Sequence, residues 1–155
     1  MNISALLTPQ RIRCGVAVSS KKRALEAVSS LLVSGDDQHT EQAIFEELTQ
    51  RERLGSTGLG AGVALPHSRS PKISQPRAAI MHLVEPVKFD AADRQPVDLL
   101  VALLVPSQDN DAHLQTLAAL AEQFRDPALG QRLRACTSDQ DLYAAVCEQQ
   151  GLTND

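Results

Sequence analysis

Two histidines and one arginine have side chains suited to holding or accepting an anionic group. His67 ends the stretch GSTGLGAGVALPH at residues 55–67, and Arg51 lies in the helical pattern before the glycines. His113 falls in the first turn of a helical pattern that follows the most apolar segment of the chain. A neutral imidazole is a nucleophile near pH 7, and a guanidinium binds anionic oxygens through a planar fork of N–H groups. The start of a helix adds unpaired N–H groups and a positive dipole end, which also favour an anion.

The glycines between Arg51 and His67 suggest a nucleotide loop, but their order in the chain argues against one. The dinucleotide fingerprint G-x-G-x-x-G follows a strand and opens a helix, so that helix N–H groups meet the pyrophosphate. Here a helical pattern precedes the glycines, and their spacing, Gly58, Gly60 and Gly62, differs from the fingerprint. No G-K-[ST] follows. A nucleotide site is therefore not expected.

The favoured interpretation is that the glycines turn the chain sharply between a helix and the short strand GVALP at 62–66. We expect that strand to end at Pro66 and His67, at the carboxyl edge of the sheet. Ligands of open α/β sheets bind at this edge. Pro66 fixes its own φ and disfavours helix at Leu65, so it helps to orient the imidazole.

Each of the three residues also has an interpretation without chemistry. A lone histidine in a loop is commonly a surface or hydrogen-bonded residue. Arg51 alone would be a solvated ion-pair partner of Glu47 or Glu52. His113 alone would be a half-buried helix residue beside Leu114.

Extended and helical patterns alternate along the chain. Apolar and β-branched runs predict strands at 11–18, 62–66, 78–89 with an interruption at Pro86, and 97–106. Helical spacing and capping residues predict helices at 21–35, 41–55, 109–124, from 127 onward, and 138–151; the caps are Ser19 or Ser20, Thr40 and Ser138. We predict one α/β domain over residues 1–155, with a central mixed, mostly parallel sheet of about five strands between helices on both faces.

Composition excludes several classes of function. Aromatic residues make up 3% of the chain, and the net charge is -4 without a long run of either sign, which argues against a nucleic-acid or anionic-membrane surface. No window approaches the ~20 apolar residues of a membrane span, and the N-terminus lacks the apolar core of a signal peptide. The 3 cysteines are widely spaced, unlike a zinc or disulfide framework. We expect a cytoplasmic protein without metal, cofactor, nucleic acid or membrane insertion.

Three segments resemble one known family. RERLGSTGLGAGVALPHS at 51–68, QPVDLLVALLVPSQDNDAHLQTLAALAEQF at 95–124 and LRACTSDQDLYAAV at 133–146 resemble enzyme IIA of the fructose/mannitol type from the bacterial phosphotransferase system. Within that family the chain is most similar to the nitrogen-regulatory branch, from about Ile3 to Val146. The family's usual PHG motif is PHS here, with Ser68.

The resemblance implies a role for each residue of the predicted site. His67 matches the histidine that accepts a phosphoryl group from a small histidine phosphocarrier protein, which is itself charged from phosphoenolpyruvate through an enzyme I. Arg51 matches the family's active-site arginine, and His113 matches its second active-site histidine. Leu59, Val63 and Leu65 are candidates for an apolar docking surface, although a core role is equally open for Val63 and Leu65.

Three functions follow from the resemblance and the residues. The first is a regulatory phosphocarrier whose phosphorylation state controls other proteins, such as potassium-transport or sensor-kinase components. The second is a sugar-specific enzyme IIA that passes the phosphoryl group to a IIB component. The third is a binding module in which His67 is never modified.

Overall fold

The computed structural model describes residues 3–34, 40–108 and 110–153. In these ranges two short 3-10 helices, Ile3–Leu6 and Pro9–Arg11, precede the regular elements. The strands are β1 (Ile12–Val16), β2 (Gly58–Gly60), β3 (Val63–Ala64), β4 (His67–Ser70), β5 (Arg77–Val87) and β6 (Val97–Pro106). The helices are α1 (Lys21–Leu32), α2 (Glu41–Arg53), α3 (Asn110–Phe124), α4 (Pro127–Arg134) and α5 (Asp139–Thr153).

The first two helices begin at the predicted caps. The Ser20 hydroxyl accepts a hydrogen bond from the Arg23 N–H at 3.1 Å, and the Thr40 hydroxyl accepts one from the Ala43 N–H at 3.2 Å. Each bond satisfies an N–H group that lacks a partner within the helix. The predicted stop at Gly35 lies outside the described residues. With Thr40 as its cap, α2 runs from Glu41 to Arg53, which places Arg51 in its last turn.

The strands form one mixed sheet in the order β1-β5-β6-β3-β2, and β4 also pairs with β6. β1 is parallel to β5, and β3 and β4 are parallel to β6, whereas the β5–β6 and β2–β3 pairs are antiparallel. The predicted mixed sheet is therefore confirmed. Its two longest strands run antiparallel because the short segment 88–96 joins them and leaves no room for a parallel crossover.

The predicted interruption at Pro86 takes a different form. β5 continues through Pro86 to Val87, and its pairing with β6 shifts in register between His82 and Val87. Proline has no N–H group to donate to the ladder, so the irregularity falls where that donor is missing. The strand is disturbed there but does not end.

Helices cover both faces of the sheet, as predicted. Adjacent strand residues point to opposite faces, so Ile80 and Leu99 contribute to one core while Met81 and Leu100 contribute to the other. The first core contains apolar residues of α3, α4 and α5, and the second contains those of α1 and α2. In the described part of the chain, no helix is long and apolar enough to cross a membrane.

Candidate active site

The three residues singled out in the sequence line one cleft. Arg51 comes from the last turn of α2, His67 is the first residue of β4, and His113 is the fourth residue of α3. The cleft has a volume of about 550 Å³. Three elements that are distant in the chain thus bring two imidazoles and a guanidinium to one concave surface.

His67 does not end a strand, as the sequence led us to expect. β3 ends at Ala64, and His67 opens β4 in register with Leu103 of β6. Pro66 separates the two short strands because it lacks a ladder donor, while its carbonyl accepts the Leu103 N–H at 2.9 Å. The prediction of one strand over 62–66 was wrong, because two short strands flank Pro66. Pairing with β6 still places His67 near the carboxyl end of β6, at Pro106.

The imidazole of His67 has a defined tautomer. Its Nδ1 lies 2.8 Å from the carbonyl oxygen of Leu65. A carbonyl oxygen only accepts, so Nδ1 carries the hydrogen and donates it. In the neutral ring the lone pair is therefore on Nε2.

Burial lowers the pKa of His67 below its ordinary value of 6.5. The hydrogen bond to Leu65 acts in the opposite direction, because it favours the protonated ring. The charge of Arg51 lowers the pKa further, and that of Glu52 raises it. With a pKa below 6.5, the ring is neutral at pH 7 and its lone pair is available.

This lowered pKa predicts a measurable pH dependence. We expect the His67 ring signals in a proton NMR titration to report a pKa below 6.5. The unfolded chain binds the proton more tightly, so the free energy of unfolding should fall as the pH drops from 6.5 through the folded pKa. A His67 pKa above 6.5, or a His67→Asn variant with unchanged acid sensitivity, would contradict this expectation.

Arg51 keeps donors available for an anion. Its Nη1 donates to the carbonyl oxygen of Gly55 at 3.0 Å, which caps the end of α2. Among the described residues Arg51 forms no ion pair, and the carboxylate of Glu52 lies 2.9 Å from the Lys21 ammonium instead. A guanidinium has five N–H donors, so a single carbonyl leaves most of the fork free. The interpretation of Arg51 as a solvated partner of Glu52 is therefore wrong.

His113 is buried, whereas the interpretation without chemistry predicts a half-buried helix residue. It is 8% exposed, and its buried Nδ1 has no hydrogen-bond partner among the residues that the structure describes. Leaving such a group without a partner costs on the order of 1–3 kcal/mol. The residue as a whole nevertheless lines the cleft beside Arg51 and His67.

The apolar surface at the cleft differs from the predicted one. Val63 and Leu65 are each 3% exposed and belong to the core, and Leu59 packs against that core. The exposed apolar side chains on the cleft are Leu54, at 84%, and Leu114, at 56%. The apolar helical spacing of Leu114 with Leu117 and Leu120 predicts a buried side chain, but α3 turns Leu114 outward.

The glycine segment forms a turn within the sheet and does not open a helix. Gly62 follows β2 and precedes β3, with φ at +82°. A Cβ at Gly62 would lie 2.7 Å from Nη2 of Arg134, a side-chain end that can shift, so the backbone angle is what favours glycine here. The geometry differs from a phosphate-binding loop, in which a glycine turn leads into a helix N-terminus.

Ser68, in place of the family's usual glycine, needs no special backbone. It lies in β4, and it is absent from the residues with positive φ. Its hydroxyl donates to the Arg69 carbonyl at 3.2 Å. The strand after His67 is therefore compatible with a side chain at this position.

Comparison with known proteins identifies the class of protein. Residues 5–149 match the family described as phosphoenolpyruvate-dependent sugar phosphotransferase system, EIIA 2. The chain therefore belongs to this family of phosphotransferase components. In the part of the chain that the structure describes, no group of three or more His, Cys, Asp or Glu side chains is placed to hold a metal ion.

Within the family, similarity is high to nitrogen regulatory proteins. The chain is 39% identical over 152 residues to the nitrogen regulatory protein of Escherichia coli K12, covering 97% of this chain and 93% of that one. It is 40% identical over 150 residues to the nitrogen regulatory protein of Pseudomonas aeruginosa, covering 97% of both. The fold matches a crystal structure of nitrogen regulatory protein IIA-Ntr from Neisseria meningitidis, with a TM-score of 0.85, 37% identity, and coverage of 93% of this chain and 98% of that one. The resemblance inferred from the sequence is confirmed.

Proposed function

We propose that this protein is a phosphocarrier of the nitrogen-regulatory branch of the phosphotransferase system. His67 accepts a phosphoryl group derived from phosphoenolpyruvate, and the phosphorylation state of His67 controls binding to other proteins. The observation that supports this proposal most directly is the convergence of His67, Arg51 and His113 on one cleft in a member of the EIIA family.

The proposed transfer joins two histidines. The Nε2 lone pair of His67 attacks the phosphorus atom of a phosphohistidine on the carrier protein. The carrier's P–N bond breaks, and its electron pair returns to the carrier's imidazole. Throughout the step Nδ1–H of His67 remains bonded to the Leu65 carbonyl, which stabilises the positive charge that develops on the ring. The product is a phosphoramidate, which can pass its phosphoryl group on.

Arg51 and His113 would stabilise the group in transit. Charge is spread over the three equatorial oxygens of a transferring phosphoryl group, and fixed donors around those oxygens lower the barrier. Arg51 has guanidinium donors beyond the one bound to Gly55, and His113 lines the same cleft. The two side chains thus bring a planar cation and an imidazole to the same cleft.

Leu54 and Leu114 would contact the carrier protein. Both are largely exposed, and both line the cleft that contains His67. Exposed apolar side chains beside a reactive group suit a partner surface that covers the site during transfer. Covering the site also excludes water, which would otherwise hydrolyse the phosphohistidine.

We further propose that the protein works in the cytoplasm and that its phosphorylation state is sensed by targets such as potassium-transport or sensor-kinase components.

The family description, a sugar phosphotransferase system, favours one alternative: transfer from His67 to a IIB component. A sugar-phosphorylation assay with purified IIB and membrane IIC components distinguishes the two. Sugar phosphate formed at a rate that depends on this protein would favour the alternative.

The proposal is tested by incubating the purified protein with phosphoenolpyruvate, enzyme I and the histidine phosphocarrier. We expect intact-mass spectrometry to show the addition of one phosphoryl group, and no addition when the phosphocarrier is omitted. An unmodified protein under complete conditions would contradict the proposal and favour a binding module.

His113→Ala should slow this transfer about tenfold or more, because a charge-assisted hydrogen bond to the phosphoryl group is lost. Quenched-flow measurement of phosphorylated protein gives the rate, and circular dichroism checks the fold. The matched control is Gln115→Ala, an exposed position on the same helix that does not line the cleft. Equal rates for the two variants would remove His113 from the proposed site.

A further inference from the structure

A buried carboxylate lies directly behind the candidate site. Glu52 is 7% exposed and follows Arg51 in the last turn of α2. Its Oε1 lies 2.9 Å from the Lys21 ammonium and accepts the Thr57 N–H at 2.9 Å. Its Oε2 accepts the Thr57 hydroxyl at 2.6 Å. We call Lys21, Glu52 and Thr57 the Glu52 clasp.

The clasp is linked to His67 by two hydrogen bonds that pass through the backbone of Leu65. The carbonyl of Thr57 accepts the N–H of Leu65 at 2.9 Å. The carbonyl of Leu65 accepts Nδ1–H of His67 at 2.8 Å. Leu65, whose carbonyl fixes the tautomer of His67, is thus hydrogen-bonded to Thr57, and Glu52 in turn holds Thr57.

Backbone hydrogen bonds and the burial of the Leu65 side chain in the core fix that peptide. Leu65 and Pro66 lie between β3 and β4, outside both strands. On one side the Pro66 carbonyl accepts the Leu103 N–H of β6, and on the other side Leu65 bonds to Thr57. Movement of Thr57 would therefore be transmitted to the Leu65 carbonyl.

The clasp also fixes the loop that joins α2 to the sheet. The Lys21 ammonium and the Ser56 hydroxyl both donate to the carbonyl oxygen of Phe89, at 3.1 and 3.0 Å. The loop is thereby tied to the start of α1 and to the segment after β5. Removing one partner of a buried ion pair leaves an uncompensated charge, so the clasp holds one arrangement strongly.

We propose that Glu52 is a positioning residue for the phosphoryl acceptor: acting through Thr57 and the Leu65 peptide, it holds His67 with Nδ1 protonated and Nε2 free. The inference rests on the proposed function of His67. Because Glu52 does not line the cleft, it acts through other residues and has no contact with the phosphoryl group. Its negative charge also acts on the ring, in the direction that raises the pKa of His67.

Three variants separate the parts of the clasp. Thr57→Val removes the hydroxyl donor while keeping the shape and the backbone bonds, and Thr57→Ser keeps the donor. Glu52→Gln keeps the shape but removes the charge. Nitrogen-15 NMR of the unphosphorylated protein reports the tautomer and the pKa of His67, and quenched-flow labelling reports the transfer rate.

We expect Thr57→Val and Glu52→Gln to mix the two tautomers of His67 and to slow transfer about tenfold, as a displaced reacting group does. Thr57→Ser should restore both readouts. Glu52→Gln should also lower the pKa of His67, because the charge that raises it is gone.

Asp139→Asn is the matched control. Its carboxylate likewise accepts a backbone N–H, from Cys14 at 2.7 Å, and pairs with an arginine, Arg13, at 3.1 Å. Asp139 does not line the cleft, so the variant should lose stability without changing the tautomer or the transfer rate.

Several outcomes would overturn the inference. One is a folded Thr57→Val variant in which His67 keeps the wild-type tautomer and the wild-type transfer rate. This result decides the question even if Glu52→Gln fails to fold. Another is an equal loss of rate in Asp139→Asn, which would indicate general loosening. If the wild-type protein accepts no phosphoryl group, the proposed function fails, and the tautomer measurements still decide whether the clasp orients His67.

Discussion

His67→Asn should reduce phosphoryl acceptance to background, by at least about 10³-fold, as the loss of a nucleophile does in other enzymes. Asparagine has an amide N–H that can donate to the Leu65 carbonyl in place of Nδ1, so the local backbone contact survives. It has no atom equivalent to Nε2. The variant therefore removes the nucleophile while keeping the neighbouring hydrogen bond.

Intact-mass spectrometry after incubation with phosphoenolpyruvate, enzyme I and the phosphocarrier measures this loss. His82→Asn is the control, because His82 lies on β5 beside Asp98 and does not line the cleft. We expect His82→Asn to be phosphorylated at the wild-type rate. Phosphorylation of His67→Asn would place the acceptor elsewhere and overturn the assignment.

Arg51→Lys should slow transfer about 10²-fold, the effect of losing one preorganised donor to transition-state charge. Lysine keeps the positive charge, but its ammonium lacks the planar fork that holds two phosphoryl oxygens at once. In the companion variant Arg51→Gln the charge is gone, so the pKa of His67 should rise, because the Arg51 charge lowers it.

Quenched-flow labelling gives the rate for Arg51→Lys, and an NMR titration gives the pKa for Arg51→Gln. The matched control is Arg53→Lys, two residues along α2, where the side chain is exposed and lines a different cavity. A wild-type rate in Arg51→Lys would show that charge alone suffices. A wild-type rate in Arg51→Gln as well would exclude Arg51 from the transfer.

Local signals in the sequence were sufficient for much of the fold. Ser20 and Thr40 cap their helices because a hydroxyl satisfies an N–H group only a few residues away. β6 was predicted from its nearly continuous apolar run, and all of its residues except Asp98 are buried. Such features depend on neighbours in the chain, so they can be predicted without the rest of the molecule.

Features that depend on distant partners could not be predicted in this way. The segment 58–70 forms three short strands: pairing with β6 selects the limits of β3 and β4, and β2 pairs with β3. Leu114 continues the apolar spacing of α3 but faces the cleft, because the packing of that helix decides which of its sides is covered. Glu52 has the sequence pattern of a solvated helix residue, yet Lys21 and Thr57 from separate segments bury it.

The candidate site combines both kinds of information. Residue types and the family resemblance singled out His67, Arg51 and His113, and the structure places all three on one cleft. The tautomer of His67 was not predictable, since it depends on how the Leu65 carbonyl meets the ring. The apolar rim of Leu54 and Leu114 also required the structure, whereas Val63 and Leu65, for which the sequence left a docking role and a core role equally open, lie in the core.

The most direct test is nitrogen-15 and phosphorus-31 NMR of the wild-type protein after phosphorylation by the carrier. We predict one phosphorus bonded to Nε2 of His67, Nδ1 still protonated, and a bond that is stable in alkali and broken by acid. Phosphorus on Nδ1, on another residue, or absent under complete conditions would contradict the account.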